Sequence, residues 1–405
     1  MIAEQLRCLS RHDLGGQGRC GEGTAVLEHG GRRYLYLAHE QPPANFSVLD
    51  VTDPRAPRLL TQTRLPHGGV RSNSLAVGDG LLLVAYQVQA PGQQPAGIEV
   101  FDLSRPAEPR LAGRLDLSGP RSRGTHWVGY TGGRYAYLST GTPDSRPRDP
   151  RDDQFPVIVD LTQPDRPTEA GRWWLPGTQD GDGAPPPARH VRWDAGFRAH
   201  NINLHSERQH RAYAGYLDAG AIILDTTDVA APRLVARLDY HPPMAGFTHT
   251  VLPLPSRDLL VISDESVHDG GADQPKRVWL ADASDERAPL IIGSLPLPPV
   301  AGYAARGGRF GPHNLHENEP FGWAWQSEEI IFGAFFSAGV RAFDIRDPFQ
   351  PRQVAAFEPA GPVQINDVYV TADGIVYAVD RAGWVSRWAA WCCPPPSRSP
   401  GRCCC

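Results

Sequence analysis

The residues best suited to chemistry are four histidines at one recurring position. His126, His200, His249 and His313 stand in RGTHWVGY, RAHNINL, FTHTVLP and GPHNLHE, each just before or at the start of a run that reads as an inner strand. The same position holds Glu22 in CGEGTAV, Asn73 in RSNSLAV, and Asn366 with Asp367 in INDVYV. Neutral imidazole is the commonest ligand for zinc, copper and iron. Several on one channel floor can hold a divalent transition metal (iron, copper, manganese or zinc) and keep a position open for water or substrate. Glu22, Asn73, Asn366 and Asp367 would line the rest of the ligand channel. Two other readings stay open: a polar channel that takes a ligand without metal, and histidines that only fix neighbouring turns by hydrogen bonds.

The ends of the second strands offer the next layer of groups. Glu40, Gln87, Tyr216, Asp264, Glu265 and Asp380 all follow inner hairpins. A carboxylate behind a liganding imidazole fixes its tautomer. Asp264 and Glu265 are the best placed for that or for a catalytic role as general base, although acidic residues at hairpin ends are usually just solvated. His205 and His316 lie at odd spacing from His200 and His313, which on a period-2 strand points them to the opposite face. His12, His29, His190, His210, His241 and His268 fall in turns or outer strands and are expected in solvent. Arg121, Arg123, Arg192, Arg198 and Arg309 lie just upstream of the histidine positions and could attract an anionic ligand, but arginine is abundant throughout and Lys276 is the only lysine.

What must position these residues is a repeat. FSVLDVTDPRAPRLL, IEVFDLSRPAEPRLA, PVIVDLTQPDRPTEA, AIILDTTDVAAPRLV, VWLADASDERAPLII and VRAFDIRDPFQPRQV share an apolar strand and a terminal aspartate. The aspartates Asp50, Asp102, Asp160, Asp225, Asp282 and Asp344 are 52 to 65 residues apart. Each is expected to end its strand by accepting backbone N–H bonds in an Asx-type turn. A later proline (Pro57, Pro109, Pro167, Pro232, Pro289, Pro351) opens an outermost strand, where a missing donor is tolerated. Two more strands precede each phrase, as in SLAVGDGLLLVAYQV. Four local antiparallel strands per unit of this length make a propeller blade.

Six phrases are present, but three further strands after the sixth suggest another blade. The N-terminal LRCLSRHDLGG resembles the outer strands. The expectation is therefore an all-β, seven-bladed β-propeller of four-stranded antiparallel blades, closed by an N-terminal strand that completes the last blade. Residues 1–390 would form this single domain, with 391–405 a disordered Cys/Pro-rich tail.

The run PVIVD and its cognates resemble the LVIVD-repeat β-propeller family over roughly residues 4–390. The D-x-[ST]-D-P-x-x-P phrase is also similar to blades of the selenium-binding protein and methanethiol oxidase family. These resemblances imply the propeller but little about activity, and the chain lacks the paired internal cysteines expected of thiol-oxidising relatives. Four blade-borne histidines are similar in arrangement to the iron-centred carotenoid oxygenases, with no shared motif.

Composition bounds the rest. A net charge of -5 argues against nucleic acid or anionic membrane as partner. No apolar run approaches the ~20 residues of a membrane span, and no signal-like apolar core follows the N-terminus, so the expected location is cytoplasmic. Three insertions, at 141–154, 176–197 and 266–275, are rich in Asp, Pro, Gly and Arg; the second carries Trp193 and Phe197 and could wall the entrance. Two functions remain. One is a metal-dependent oxidoreductase or hydrolase acting on a small molecule in the central channel. The other is a non-enzymatic propeller scaffold that binds a protein partner or small ligand at one face.

Overall fold

The computed structural model describes residues 2–4, 6–17, 19–381 and 388–392, with side chains described within 6–17 and 19–381. The Cys/Pro-rich segment from residue 393 onward lies outside the described residues.

The chain folds as an all-β propeller, and its blades are built on the repeat phrase. In all six, the aspartate accepts a backbone N–H two residues on: Asp50 from Thr52 (3.1 Å), Asp102 from Ser104 (2.6 Å), Asp160 from Thr162 (2.8 Å), Asp225 from Thr227 (2.8 Å), Asp282 from Ser284 (2.8 Å) and Asp344 from Arg346 (3.0 Å). The arginine that begins the outer strand returns to the same carboxylate at Asp50, Asp102 and Asp344 (Arg58, Arg110 and Arg352). Every phrase strand also meets its outer partner with a register shift at the same place, from Val48/Leu49 to Ala342/Phe343. Such bulges bend the strand and increase its twist, as the splay of a blade requires.

Blade 1 comprises Cys20–His29, Arg32–His39, Ala44–Asp50 and Arg58–Arg64. Blade 2 has a split inner strand (Val70–Arg71 and Leu75–Gly78), then Leu81–Val88, Gly97–Asp102 and Arg110–Asp116. Blade 3 is Thr125–Gly129, Tyr135–Thr140, Phe155–Asp160 and Thr168–Arg172; blade 4 is Ile202–Asn203, Arg211–Gly215, Ala221–Asp225 and Arg233–Leu238. Blade 5 is Thr248–Leu254, Leu259–Asp264, Val278–Asp282 and Leu290–Ser294. Blade 6 is Ile330–Ala334, Val340–Asp344 and Arg352–Glu358, with 313–316 as its innermost segment through His313 N–Ala334 O and His316 N–Phe332 O bonds of 2.9 Å. Ile2–Glu4 adds at its outer edge.

The expected count of seven like blades is corrected to six. Only six sheets carry the aspartate phrase, with the outer strand following it directly in the chain. Beyond Glu358 the chain forms a different, closing sheet: Ile365–Val370, Ile375–Asp380 and Trp388–Cys392, edged by Arg7–His12 from the N-terminus. Its third strand also meets its outer partner with a register shift, at Cys8/Ser10, but that partner comes from the N-terminus and the third strand carries no terminal aspartate. The physical reason is that the phrase builds the outer half of a blade, and the residues after the sixth phrase do not contain it. Apolar clusters fill the spaces between adjacent sheets; one joins Val26, Leu35, Leu37 and Leu49 to Tyr369, Tyr377 and Val379, packing blade 1 on the closing sheet.

Candidate metal centre

The inner strands carry the site at irregularities. The blade 3 inner strand pairs through Thr125 and then Trp127, skipping His126; blade 5 skips from Thr248 to Thr250 past His249; the closing sheet skips from Ile365 to Asp367 past Asn366. Blade 1 skips from Cys20 to Thr24 around Glu22. An unpaired bulge residue escapes the strict alternation of a strand, so its side chain can be re-aimed. Here the bulges turn His126, His249 and Glu22 into the channel. Gly21 and Gly23 flank Glu22 because a Cβ at either would lie 2.3 Å from the blade 2 backbone, at Asn73 O and Leu75 N. That close approach also forms the 2.7 Å bond from Glu22 N to Asn73 O.

All four histidines converge. The Nε2 atoms of His126 and His200 are 2.9 Å apart, and ring centroids are separated by 3.9 Å for His200–His249 and 4.3 Å for His249–His313. Glu22 sits among them: its Oε2 is 3.5 Å from His249 Nε2 and 3.9 Å from both His126 Nε2 and His200 Nδ1, and its Oε1 is 3.7 Å from His313 Nε2. Glu265 joins from just past the second strand of blade 5, with Oε1 3.5 Å from His313 Nε2 and Oε2 3.9 Å from His200 Nε2. All six residues are buried. Within this cluster, three sets (Glu22–His249–His313, Glu22–His126–His200 and His200–His249–Glu265) bring one donor atom each within 4.8 Å of one another.

The outer hydrogen bonds fix which nitrogens face inward. His313 Nδ1 lies 2.5 Å from the Asn366 carbonyl oxygen, a contact made by a protonated nitrogen, so Nε2 carries the lone pair. His126 Nδ1 lies between Gln87 Oε1, at 3.0 Å, and the Arg71 guanidinium, whose Nη2 is 3.3 Å away. His200 Nδ1 points to Asn201 Oδ1 at 2.9 Å and His249 Nδ1 to Thr250 Oγ1 at 2.8 Å. Inward-facing His249 Nε2, His313 Nε2 and Glu22 Oε2 are buried with no hydrogen-bond partner.

The electrostatics favour a cation. Burial alone would raise Glu22, but the surrounding His200, His249, His313 and His126 hold it well below the usual carboxylate range. Glu265 is likewise held at about 2, burial being outweighed by His313 and Arg309. Burial and then His200 push His126 well below an ordinary histidine, and burial with His200 and His313 lowers His249 to about 3. His200 is lowered by burial, with Glu22 and Glu265 opposing. Buried carboxylates and imidazoles brought this close could hold a metal ion.

The other expected residues divide between the edge of the cluster and places away from it. Asn73 Nδ2 lies 3.3 Å from His126 Nε2. Asn366 contributes its carbonyl to His313, while its side-chain atoms are buried without partners. Asp264 stands outside the cluster: it accepts from Tyr240 Oη (2.6 Å) and Trp279 Nε1 (2.9 Å), and burial lifts it to about 6. The alternation of adjacent residues that sends Glu265 inward sends Asp264 the other way. Asp367 accepts from Val368 N at 2.9 Å and lines a second cavity on the far side of Glu22. His316 is satisfied by Trp325 O and Val370 N, away from the cluster. His241, expected in solvent, is buried and bonded to Met244 O and Trp193 O.

The mouth above the histidines was only partly foreseen. Arg123, Arg198 and Arg309 line it, and so do Arg71, Arg381 and Glu40. Arg121 instead pairs with Asp180, and Arg192 stacks on Trp193. A signal for Arg71 was present, since it precedes Asn73 by two residues just as Arg198 precedes His200.

The comparisons agree on architecture. No family model matches the chain, and no curated protein matches it in sequence. Among solved structures it is similar to the Cps50 (Swd1) β-propeller domain of Myceliophteria thermophila, at 12% identity and TM-score 0.56, covering 92% of this chain and 96% of that one. It is also similar to Raptor of Chaetomium thermophilum, at 12% identity and TM-score 0.58, covering 96% of this chain and 30% of that one. Likeness at this identity establishes the propeller fold alone. Among the described residues no helix is long and apolar enough to cross a membrane.

Proposed function

We propose that this propeller is a metal-binding protein that carries a metal-dependent reaction, oxidative or hydrolytic, on a small molecule in its channel. His126, His200, His249 and His313 would hold the ion, with Glu22 and Glu265 supplying negative charge beside it. The observation that carries this reading is the set of three inward-facing buried atoms without partners: His249 Nε2, His313 Nε2 and Glu22 Oε2. An unsatisfied buried polar group costs about 1–3 kcal/mol, so leaving three together needs a reason. A cation supplies it. The 2.9 Å between His126 Nε2 and His200 Nε2 fits the same account, because two nitrogens each ~2.0–2.1 Å from one ion lie roughly 2.9–3.4 Å apart.

When bound, iron, copper, manganese or zinc would polarise a substrate oxygen or activate water, and the redox metals would also pass electrons. The chain's own groups hold His200 and His313 in the Nδ1-protonated tautomer through Asn201 Oδ1 and the Asn366 carbonyl. Glu265, held ionised by Arg309 at 2.5 Å, is the remaining candidate for proton transfer beside the centre. The resemblance of the repeat phrase to LVIVD-repeat propellers, and a cytoplasmic location, belong to this same reading.

Elemental analysis of untagged protein tests it. About one equivalent of transition metal, lost in His249→Ala/His313→Ala, is the expected result. A metal-free protein that takes up none of the four metals would favour the scaffold reading.

A further inference from the structure

The cavity over the histidines is ringed by guanidinium groups. Arg71, Arg123, Arg198, Arg309 and Arg381 all line it, together with Gln87, Gln154 and Phe247. They come from different blades and meet only because each lies beside the end of a channel-facing strand. Their side chains remain between 20% and 29% exposed, so they are reachable from solvent without being fully hydrated.

The carboxylates at this rim do not match them one for one. Glu40 serves both Arg71 (2.8 Å) and Arg381 (2.7 Å), Asp153 serves both Arg123 (2.5 Å) and Arg198 (3.5 Å), and Glu265 serves Arg309. Five cations thus share three carboxylates. Glu22, the other carboxylate of the cavity, is turned toward the histidines. Arg198 is the least satisfied. Among the described residues its only carboxylate within 4.0 Å is Asp153, which Arg123 already binds through two nitrogens.

We propose that this mouth is a binding site for a small oxyanion, a carboxylate or phosphate group, gripped by Arg198 with Arg123 and Arg71 and placed directly over His126 and His200. A planar guanidinium offers parallel N–H donors that match either group. The cavity, open to solvent, has a volume of about 140 Å³, below the ~300–1,000 Å³ of drug-sized ligand pockets, which restricts it to a small anion. The inference deepens the metal reading, resting on that centre as the floor of the same cavity, and it names the substrate class as anionic.

Calorimetry on the full chain after chelator treatment, and again after reloading with zinc, tests it with three probes: oxalate, inorganic phosphate and the neutral oxamide. Oxalate or phosphate should bind the chelator-treated protein and oxamide should not, the tighter anion naming the source. Arg198→Gln should weaken that binding about tenfold or more, and Arg198→Lys less, because it keeps the charge. If circular dichroism shows Arg198→Gln unfolded, Arg123→Gln is read in the same way. Equal binding of oxamide and oxalate, no anion binding by the parent protein, or unchanged affinity in the folded variant would each overturn the proposal. Zinc content of the same samples separates the two readings. Anion binding by a protein that takes up no metal leaves this inference standing without the centre, and metal uptake without anion binding does the reverse.

Discussion

The two ends of the channel are built from the same inner strands yet differ in kind. Glu22 lies between them and lines the cavity on each side. At the end where the inner strands begin, arginines surround imidazoles and the carboxylates are held ionised. At the far end the cavity is lined by Trp127, Tyr130, Asn203, Glu317, Glu319, Asp367 and Tyr369, with no arginine or lysine. There burial raises Glu317 to about 7, burial and Glu317 raise Glu319 to about 8, and Asp367 is pushed well above the carboxylate range. Carboxylates thus stay charged where cations compensate them and hold protons where none do. The lesson is that burial alone does not decide the state of these acids; the neighbouring blade's residue does.

The largest effect expected from breaking this contrast is at its centre. His249→Ala/His313→Ala should retain less than roughly a tenth of the parent's metal by elemental analysis, since both orphaned nitrogens are removed. Glu265→Gln should lower metal affinity about 10–100-fold in competition with a chelator, while Asp264→Asn, bonded to Tyr240 and Trp279 instead, should change it less than about threefold. Glu265→Gln matching the parent would show that the carboxylate does not serve the centre.

The smallest effect lies at the far end and concerns stability. A folded-state value of about 8 for Glu319 exceeds that of an unfolded glutamate, near 4.3. The unfolded chain therefore releases its proton first, and stability contributed by the neutral acid declines from about pH 4.3 to about pH 8. Glu319→Gln should flatten that decline in thermal melts at pH 5 and pH 8. An unchanged slope would mean the carboxyl is ionised in the fold.

Much of this was legible in the residues, for identifiable reasons. The six aspartates announce their turns because an Asx bond is local and needs no knowledge of the fold. The histidine position was visible because it recurs at one place relative to each inner strand. The blade count was misjudged because three strands after the last phrase resemble the inner part of a blade, whereas the phrase is what builds the outer part. Asp264 and Glu265 looked equivalent because which of two neighbours turns inward depends on pairing register, set by partners in other strands. The bulges at His126 and His249 and the close approach at Gly21 and Gly23 also depend on neighbouring strands and have no signature of their own. For the same reason Arg71 and Arg381 became a ring only once the blades were assembled.

The most direct test of the central claim is X-ray absorption at the metal edge of protein loaded with a single equivalent of zinc. Three or four imidazole nitrogens at ~2.0–2.1 Å, with an oxygen ligand beside them, is the expected result. A first shell of oxygen alone, or of sulfur, would contradict the account, because the ion would then lie somewhere other than among His126, His200, His249 and His313.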